Sequence, residues 1–156
     1  MRILIAYYSR TGKTKTVAEN LAATIEADVE EIRTPDRRQG LLGFLRCGFE
    51  ACRGKEVRII PINKEPSSYD LVIVGTPIWA GRMSSPVRSF LSQYGHSIKN
   101  VAYIITRADP KNQYLGVCAE MDKISGKHHI AALSLWDRDK AAGEAVTAFA
   151  ARFKQV

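Results

Sequence analysis

Apolar residues in this chain fall into short continuous runs that alternate with rows at helical spacing. Ile3–Tyr8 is such a run and predicts a buried strand. Val17, Leu21 and Ile25, with Ala18 and Ala22, follow at helical spacing. Val29–Ile32 predicts a second, weaker strand. Leu41, Leu42, Leu45, Phe49 and Cys52 then line one side of a helix bracketed by Gly40 and Gly54. The strongest strand pattern is Tyr69–Gly75, and Val87, Phe90, Leu91 and Tyr94 follow on a helix. Ser84 or Ser85 would cap that helix, with Pro86 in its first turn. Val101–Thr106 predicts a fourth strand, Tyr114–Ile124 a helix ending at Gly126, and His129–Leu135 a fifth strand. Asp137 is the expected cap of a last helix carrying Ala141, Ala145, Val146, Phe149 and Phe153.

Five strand–helix units with near-continuous apolar strands predict a parallel sheet covered on both faces, a three-layer α/β sandwich. The 156 residues, 46% hydrophobic and 25% charged, suit a single domain over 1–156 with a real core. No apolar run approaches the roughly 18 residues of a membrane span. The apolar stretch after Arg2 is shorter than a signal-peptide core, so a cytoplasmic setting is expected. Cys47, Cys52 and Cys118 form no Cys-x-x-Cys pair and predict neither a disulfide framework nor a zinc site.

In doubly wound sheets ligands sit beyond the carboxyl ends of the strands, which directs attention to loops 9–14, 76–86 and 106–113. The first contains Gly12-Lys13-Thr14, the end of a P-loop motif. The motif's first glycine would fall on Tyr7, too bulky for a backbone that wraps a β-phosphate. No aspartate closes the strand Tyr69–Gly75 to hold a metal, and Asp109 comes late after Val101–Thr106. A nucleoside-triphosphate hydrolase is therefore disfavoured. Gly-x-Gly-x-x-Gly is absent, which removes the dinucleotide fingerprint.

What remains is Ser9-x-Thr11-Gly12-x-Thr14 between a strand and a helix. Three hydroxyls, a close-approaching glycine backbone and the free amides of a helix N-terminus suit a terminal phosphate monoester without a metal. A plain helix cap with incidental threonines is the alternative. The second loop, Thr76-Pro77-Ile78-Trp79-Ala80-Gly81, puts an indole at the mouth of the crevice, a flat wall for a planar ring. Phosphate cradle plus stacking wall fits a mononucleotide with a tricyclic base.

On these residues the chain resembles the flavodoxin family. The match lies in Ser9-Arg10-Thr11-Gly12-Lys13-Thr14, in YDLVIVGTPIWAG at 69–81 and in SSPVRSFL at 84–91, and the order of elements follows along the whole chain. The resemblance implies a doubly wound five-stranded parallel sheet of order 2-1-3-4-5 with FMN at the switch point. Its cofactor-binding residues would be Ser9 to Thr14, Thr76 to Gly81, and Thr106, Arg107, Ala108 and Asp109 of the third loop. It also implies that Ala80-Gly81 sits at the centre of a type I or type II turn whose peptide changes orientation on reduction. The third loop lacks the aromatic that flavodoxins often place there, Tyr114 being the nearest candidate.

Flavodoxins that shuttle electrons are usually acidic, whereas this chain carries +7 at a pI near 9.5. Residues 33–58 hold seven Lys/Arg against three Asp/Glu. That stretch reads as a solvated face or as steering for an acidic protein or anionic cofactor, since no nucleic-acid motif accompanies it. His96, His128 and His129 read as structural, and the flavin would carry the chemistry. Electron transfer between redox proteins is the leading expectation. An NAD(P)H-dependent reduction of a quinone or other small acceptor is the second, and a flavodoxin-fold binding module without redox turnover the third.

Overall fold

The computed structural model describes residues 1–153. Five parallel strands, β1 (Ile3–Tyr7), β2 (Asp28–Glu31), β3 (Leu71–Trp79), β5 (Val101–Arg107) and β6 (Ala132–Trp136), run in the order β2-β1-β3-β5-β6. A two-residue strand β4 (Arg82–Met83) pairs antiparallel with the end of β3. Counting the parallel strands alone, this is the expected 2-1-3-4-5 doubly wound sheet.

Helices cover both faces because alternate strand residues point to opposite sides. Ile3, Ile5, Ile73 and Ile104 pack with Leu21 of α1 (Lys13–Ile25) and with Val146 and Phe149 of α5 (Ala142–Ala151). Leu4, Val72, Val74, Tyr103 and Ile105 pack on the other face. There they meet Cys47 and Ala51 of α2 (Gly40–Cys52), Phe90 of α3 (Ser85–Tyr94) and Met121 of α4 (Val117–Ser125). No helix among the described residues is long and apolar enough to cross a membrane.

Several sequence expectations change. β3 continues four residues past Gly75, because Thr76 and Pro77 stay alongside β5 and Ile78 and Trp79 pair with β4. The segment expected as a loop is thus a strand and a tight turn. Helix α4 starts at Val117, after Tyr114 turns the chain with φ +53°. Asp137 is not a cap: α5 begins five residues later, and Asp139 instead accepts the Ala141 amide at 2.9 Å.

Helix α2 is oriented against the usual rule that an amphipathic helix turns its apolar side inward. Leu41, Leu42, Phe44, Leu45 and Phe49 are 56–83% exposed, while Gly43, Cys47, Glu50 and Ala51 are buried. Gly43 permits this approach: a Cβ there would stand 2.4 Å from the Arg38 carbonyl group. Glu50 faces inward to meet Arg38, which is itself buried, and also accepts from Arg46 Nε at 3.0 Å. Burial works against the Arg38 charge, yet the Glu50 hydrogen bond and charge hold its pKa above the ordinary value.

Candidate functional site

The chain leaves β1 at Tyr7 and reaches α1 through a turn that ends on Gly12, whose φ of +92° is open to glycine at little cost. Ser9 Oγ accepts the Gly12 amide at 3.1 Å and fixes the turn. No side chain caps the first turn of α1. Its leading amides keep their hydrogen-bonding capacity, and the helix dipole makes this end positive. Arg10 and Lys13 add full charges beside it. Thr14 is buried, with Oγ1 2.7 Å from Oγ1 of Thr106, tying this loop to the third one.

These groups open onto a cleft of about 290 Å³. Ser9, Arg10, Thr11, Lys13 and Thr14 form one end, Pro77, Ile78 and Trp79 a second wall, and Thr106, Arg107 and Ala108 the floor. A larger hollow of about 540 Å³ lies between α1 and α5 and shares Lys13, Thr106 and Asp137 with the cleft. The larger hollow is also lined by hydroxyls, of Thr16, Thr24 and Thr147, but of the two only the smaller is lined by Arg10, Arg107 and the hydroxyls of Ser9, Thr11 and Thr14.

Trp79 is only 8% exposed and meets Tyr8 edge-on, with ring centroids 5.3 Å apart and planes at 89°. The indole therefore presents a margin to the cleft, not a free face. Burial pushes the Tyr8 hydroxyl up to about 12, so this partner stays neutral. Thr76 is fully buried and accepts the Ser84 amide at 3.0 Å, which anchors the β3–β4 ribbon from behind. Ala80 and Gly81 form the ribbon's two-residue turn with φ of +48° and +76°. Positive φ at both central residues is a type I′ turn, the mirror image of type I, and not the expected type I or II.

In the third loop Arg107 is buried, its Nε donating to Ser134 Oγ at 3.0 Å and its Nη1 to the Asp109 carbonyl. Asp109 turns aside: the Lys111 amide donates to it at 2.8 Å, and backbone amides hold its pKa below the ordinary carboxylate value. The Tyr114 hydroxyl also reaches Asp109, at 3.4 Å. Tyr114 lines a separate hollow with Gly81 and Asn112, so it does not stand over the cleft.

Two lining residues escaped the sequence reading. Phe44 comes from α2 and carries the Arg10 guanidinium 5.4 Å from its ring centre. Asp137 follows β6, and its buried Oδ1 has no hydrogen-bond partner among the described residues. The strand pattern ending at Leu135 placed Asp137 at the ligand end of the sheet, which was the available signal.

No protein-family model matches the chain. Among solved structures it is similar to a flavoprotein from Lactobacillus acidophilus in complex with FMN. That likeness has 22% identity and a TM-score of 0.71, over 87% of this chain and 93% of that one. A Bacteroides eggerthii protein provisionally assigned as a flavoprotein matches at 21% identity and TM-score 0.75, over 98% of both chains. Oxidised flavodoxin 2 from Bacillus cereus matches at 19% identity and TM-score 0.62, over 99% of both. The strand order, the helices on both faces and these likenesses together give the chain the flavodoxin-like fold.

Proposed function

We propose that the cleft binds FMN and that the protein transfers electrons between redox partners. One observation carries this reading: an uncapped helix N-terminus, flanked by hydroxyls and two cations, lies beside an apolar wall in one cleft. The first part suits a dianionic phosphate monoester and the second a planar ring. The Lactobacillus acidophilus protein of the same fold is described in complex with FMN. When bound, FMN supplies one- and two-electron redox chemistry.

The chain's own groups then divide the ligand. Ser9, Thr11, Gly12 and Thr14, with Arg10 and Lys13, hold the phosphate. Pro77, Ile78 and Trp79 would flank the ring, with Phe44 also lining the cleft, while Ala80 and Gly81 shape the turn beyond that wall and are not among the residues lining the cleft. Thr76 and Asp109 act indirectly, by anchoring the second and third loops. The unpartnered Asp137 Oδ1 is an acceptor suited to a polyol hydroxyl and ill suited to phosphate. Arg107 lines the cleft with Thr106 and Ala108, is held by Ser134 and the Asp109 carbonyl, and would bring positive charge to a bound ring. The free thiols of Cys47, Cys52 and Cys118 accord with a reducing, cytoplasmic setting.

Fluorescence quenching tests the assignment directly. FMN should bind much more tightly than riboflavin, since the phosphate end is the most developed part of the site; equal affinities refute it. Anaerobic mixing with NADH or NADPH then separates the functions. Slow bleaching supports the electron carrier, and rapid bleaching supports the hydride-accepting reductase.

A further inference from the structure

The exposed side of α2 is built as a surface in its own right. Phe44, Leu41, Leu45, Phe49 and Leu42 share about 160° of the helix at 100° per residue, with only Gly48 and Cys52 between them and no charge. All five are more than half exposed. Monomeric proteins rarely leave such a contiguous apolar patch to water. Cations border it. Arg53 follows immediately on the helical wheel, then Arg46, which is paired with Asp36 and Glu50, and exposed Arg37, Lys55 and Arg58 lie just before and after the helix in the chain. The Arg53 guanidinium lies 4.6 Å from the Phe49 ring centre, so charge and apolar surface touch.

We propose that α2 docks the protein onto an anionic lipid surface, with its Leu and Phe side chains entering the headgroup–acyl boundary. A helix with one apolar face and basic flanks is the form that lies in the membrane interface. Apart from the weakly hydrogen-bonding thiol of Cys52, the exposed apolar side offers no side-chain hydrogen-bonding group, whereas protein interfaces carry about one hydrogen bond per 100–200 Å². A second copy of this chain would bring like-charged arginine rims together. An anionic bilayer matches both the apolar centre and the cationic border. Phe44 belongs to this surface and to the cleft, so docking sets the cleft's mouth at the lipid boundary. Docking does not depend on what the cleft binds.

The test is co-sedimentation of the full chain with vesicles of phosphatidylcholine alone and of phosphatidylcholine mixed with phosphatidylglycerol. Binding to the mixed vesicles, weakened by salt, is expected. Leu42→Glu with Phe49→Glu should reduce it at least tenfold, and each of Arg53→Gln and Lys55→Gln by about fivefold. Ile130→Glu, also exposed but beside the opposite end of β6, should bind like the wild type. Circular dichroism on each variant checks that the fold is retained, and exposed positions such as these rarely alter it. Absence of binding to the mixed vesicles overturns the proposal, as does equal binding to both vesicle types. So does a dimer in sedimentation velocity that Leu42→Glu with Phe49→Glu dissociates while vesicles are ignored.

Discussion

Removing the Glu50 carboxylate should be among the most damaging single changes available on the surface helices. Glu50 and Arg38 have side chains 5% and 3% exposed, and each is the other's principal charged partner. Truncating one member of a buried pair leaves the other charge uncompensated, at a cost of about 3–5 kcal/mol. In Glu50→Ala, Arg38 retains Asp36, whose Oδ2 lies 3.3 Å from Nη2 and is 31% exposed. That residual partner places the expected loss at the lower end, about 3 kcal/mol. For a chain of this size, it corresponds to a fall in Tm of ~6–12 °C. Arg46→Ala is the comparison, because Arg46 also binds Glu50 but is 52% exposed. Its loss should cost no more than about 1 kcal/mol. Replacing both buried partners, as in Arg38→Met with Glu50→Leu, should restore most of the stability, since neither charge is then stranded. Urea and thermal unfolding followed by circular dichroism give all three values. A Glu50→Ala variant no less stable than Arg46→Ala would refute the assignment of a buried pair, and with it the reason α2 faces as it does.

Thr14→Val preserves shape but leaves the Thr106 hydroxyl buried without its partner, so unfolding of the ligand-free protein should be easier by about 1–3 kcal/mol. The same variant should weaken FMN binding more than riboflavin binding, whereas Thr14→Ser should retain both properties; equal losses for the two flavins would count against a phosphate end here. Ala80 occupies a left-handed conformation that costs an L-residue roughly 1–2 kcal/mol, so Ala80→Asn, which completes the favoured Asn-Gly type I′ pair, should raise Tm by ~2–4 °C. Unchanged or lowered Tm would argue against the mirror-image turn. Burial raises the Cys118 thiol from 9.0 to about 11, so its neutral form is favoured by folding. A folded pKa above the unfolded one gives stability that is complete below pH 9.0 and lost as pH rises towards 11. Cys118→Val should abolish that part of the alkaline decline, about 2–3 kcal/mol, in urea midpoints measured across the interval.

The strands and the turn of residues 9–14 were legible in the sequence because both are local. Runs such as Leu71 to Val74 are apolar throughout since helices cover both their faces, and Ser9 to Thr14 make their loop within one turn of chain. The direction of α2 was not legible. Periodicity tells which residues share a side, but only the Arg38 backbone against Gly43 and the charge pairing of Glu50 decide which side turns inward. The β3–β4 ribbon hid for a similar reason: Arg82-Met83 is too short to carry a pattern and exists through pairing with Ile78 and Trp79. Asp137 looked like a cap because its chain position fits one. Its place in the cleft depends on β6 lying beside β5, which the order of elements implies without saying how far the loop after β6 extends.

The hydrogen bond between Thr14 and Thr106 spans 92 positions of sequence. Its two ends come from the two halves of the sheet and meet only after β1, β3 and β5 are aligned. A nascent or partly unfolded chain that has assembled just its first half has the loop of residues 9–14 but not the floor beneath it. Whatever the cleft binds therefore discriminates strongly between the complete protein and its partial forms. Occupancy adds RT ln(1 + [L]/Kd) to the stability of the finished fold and nothing to its precursors. Ligand supply would then act late, after folding is over, by slowing global opening rather than by guiding the chain to its native state. Hydrogen exchange should read this as protection gained across the whole sheet on ligand binding, and not only in the two loops that touch.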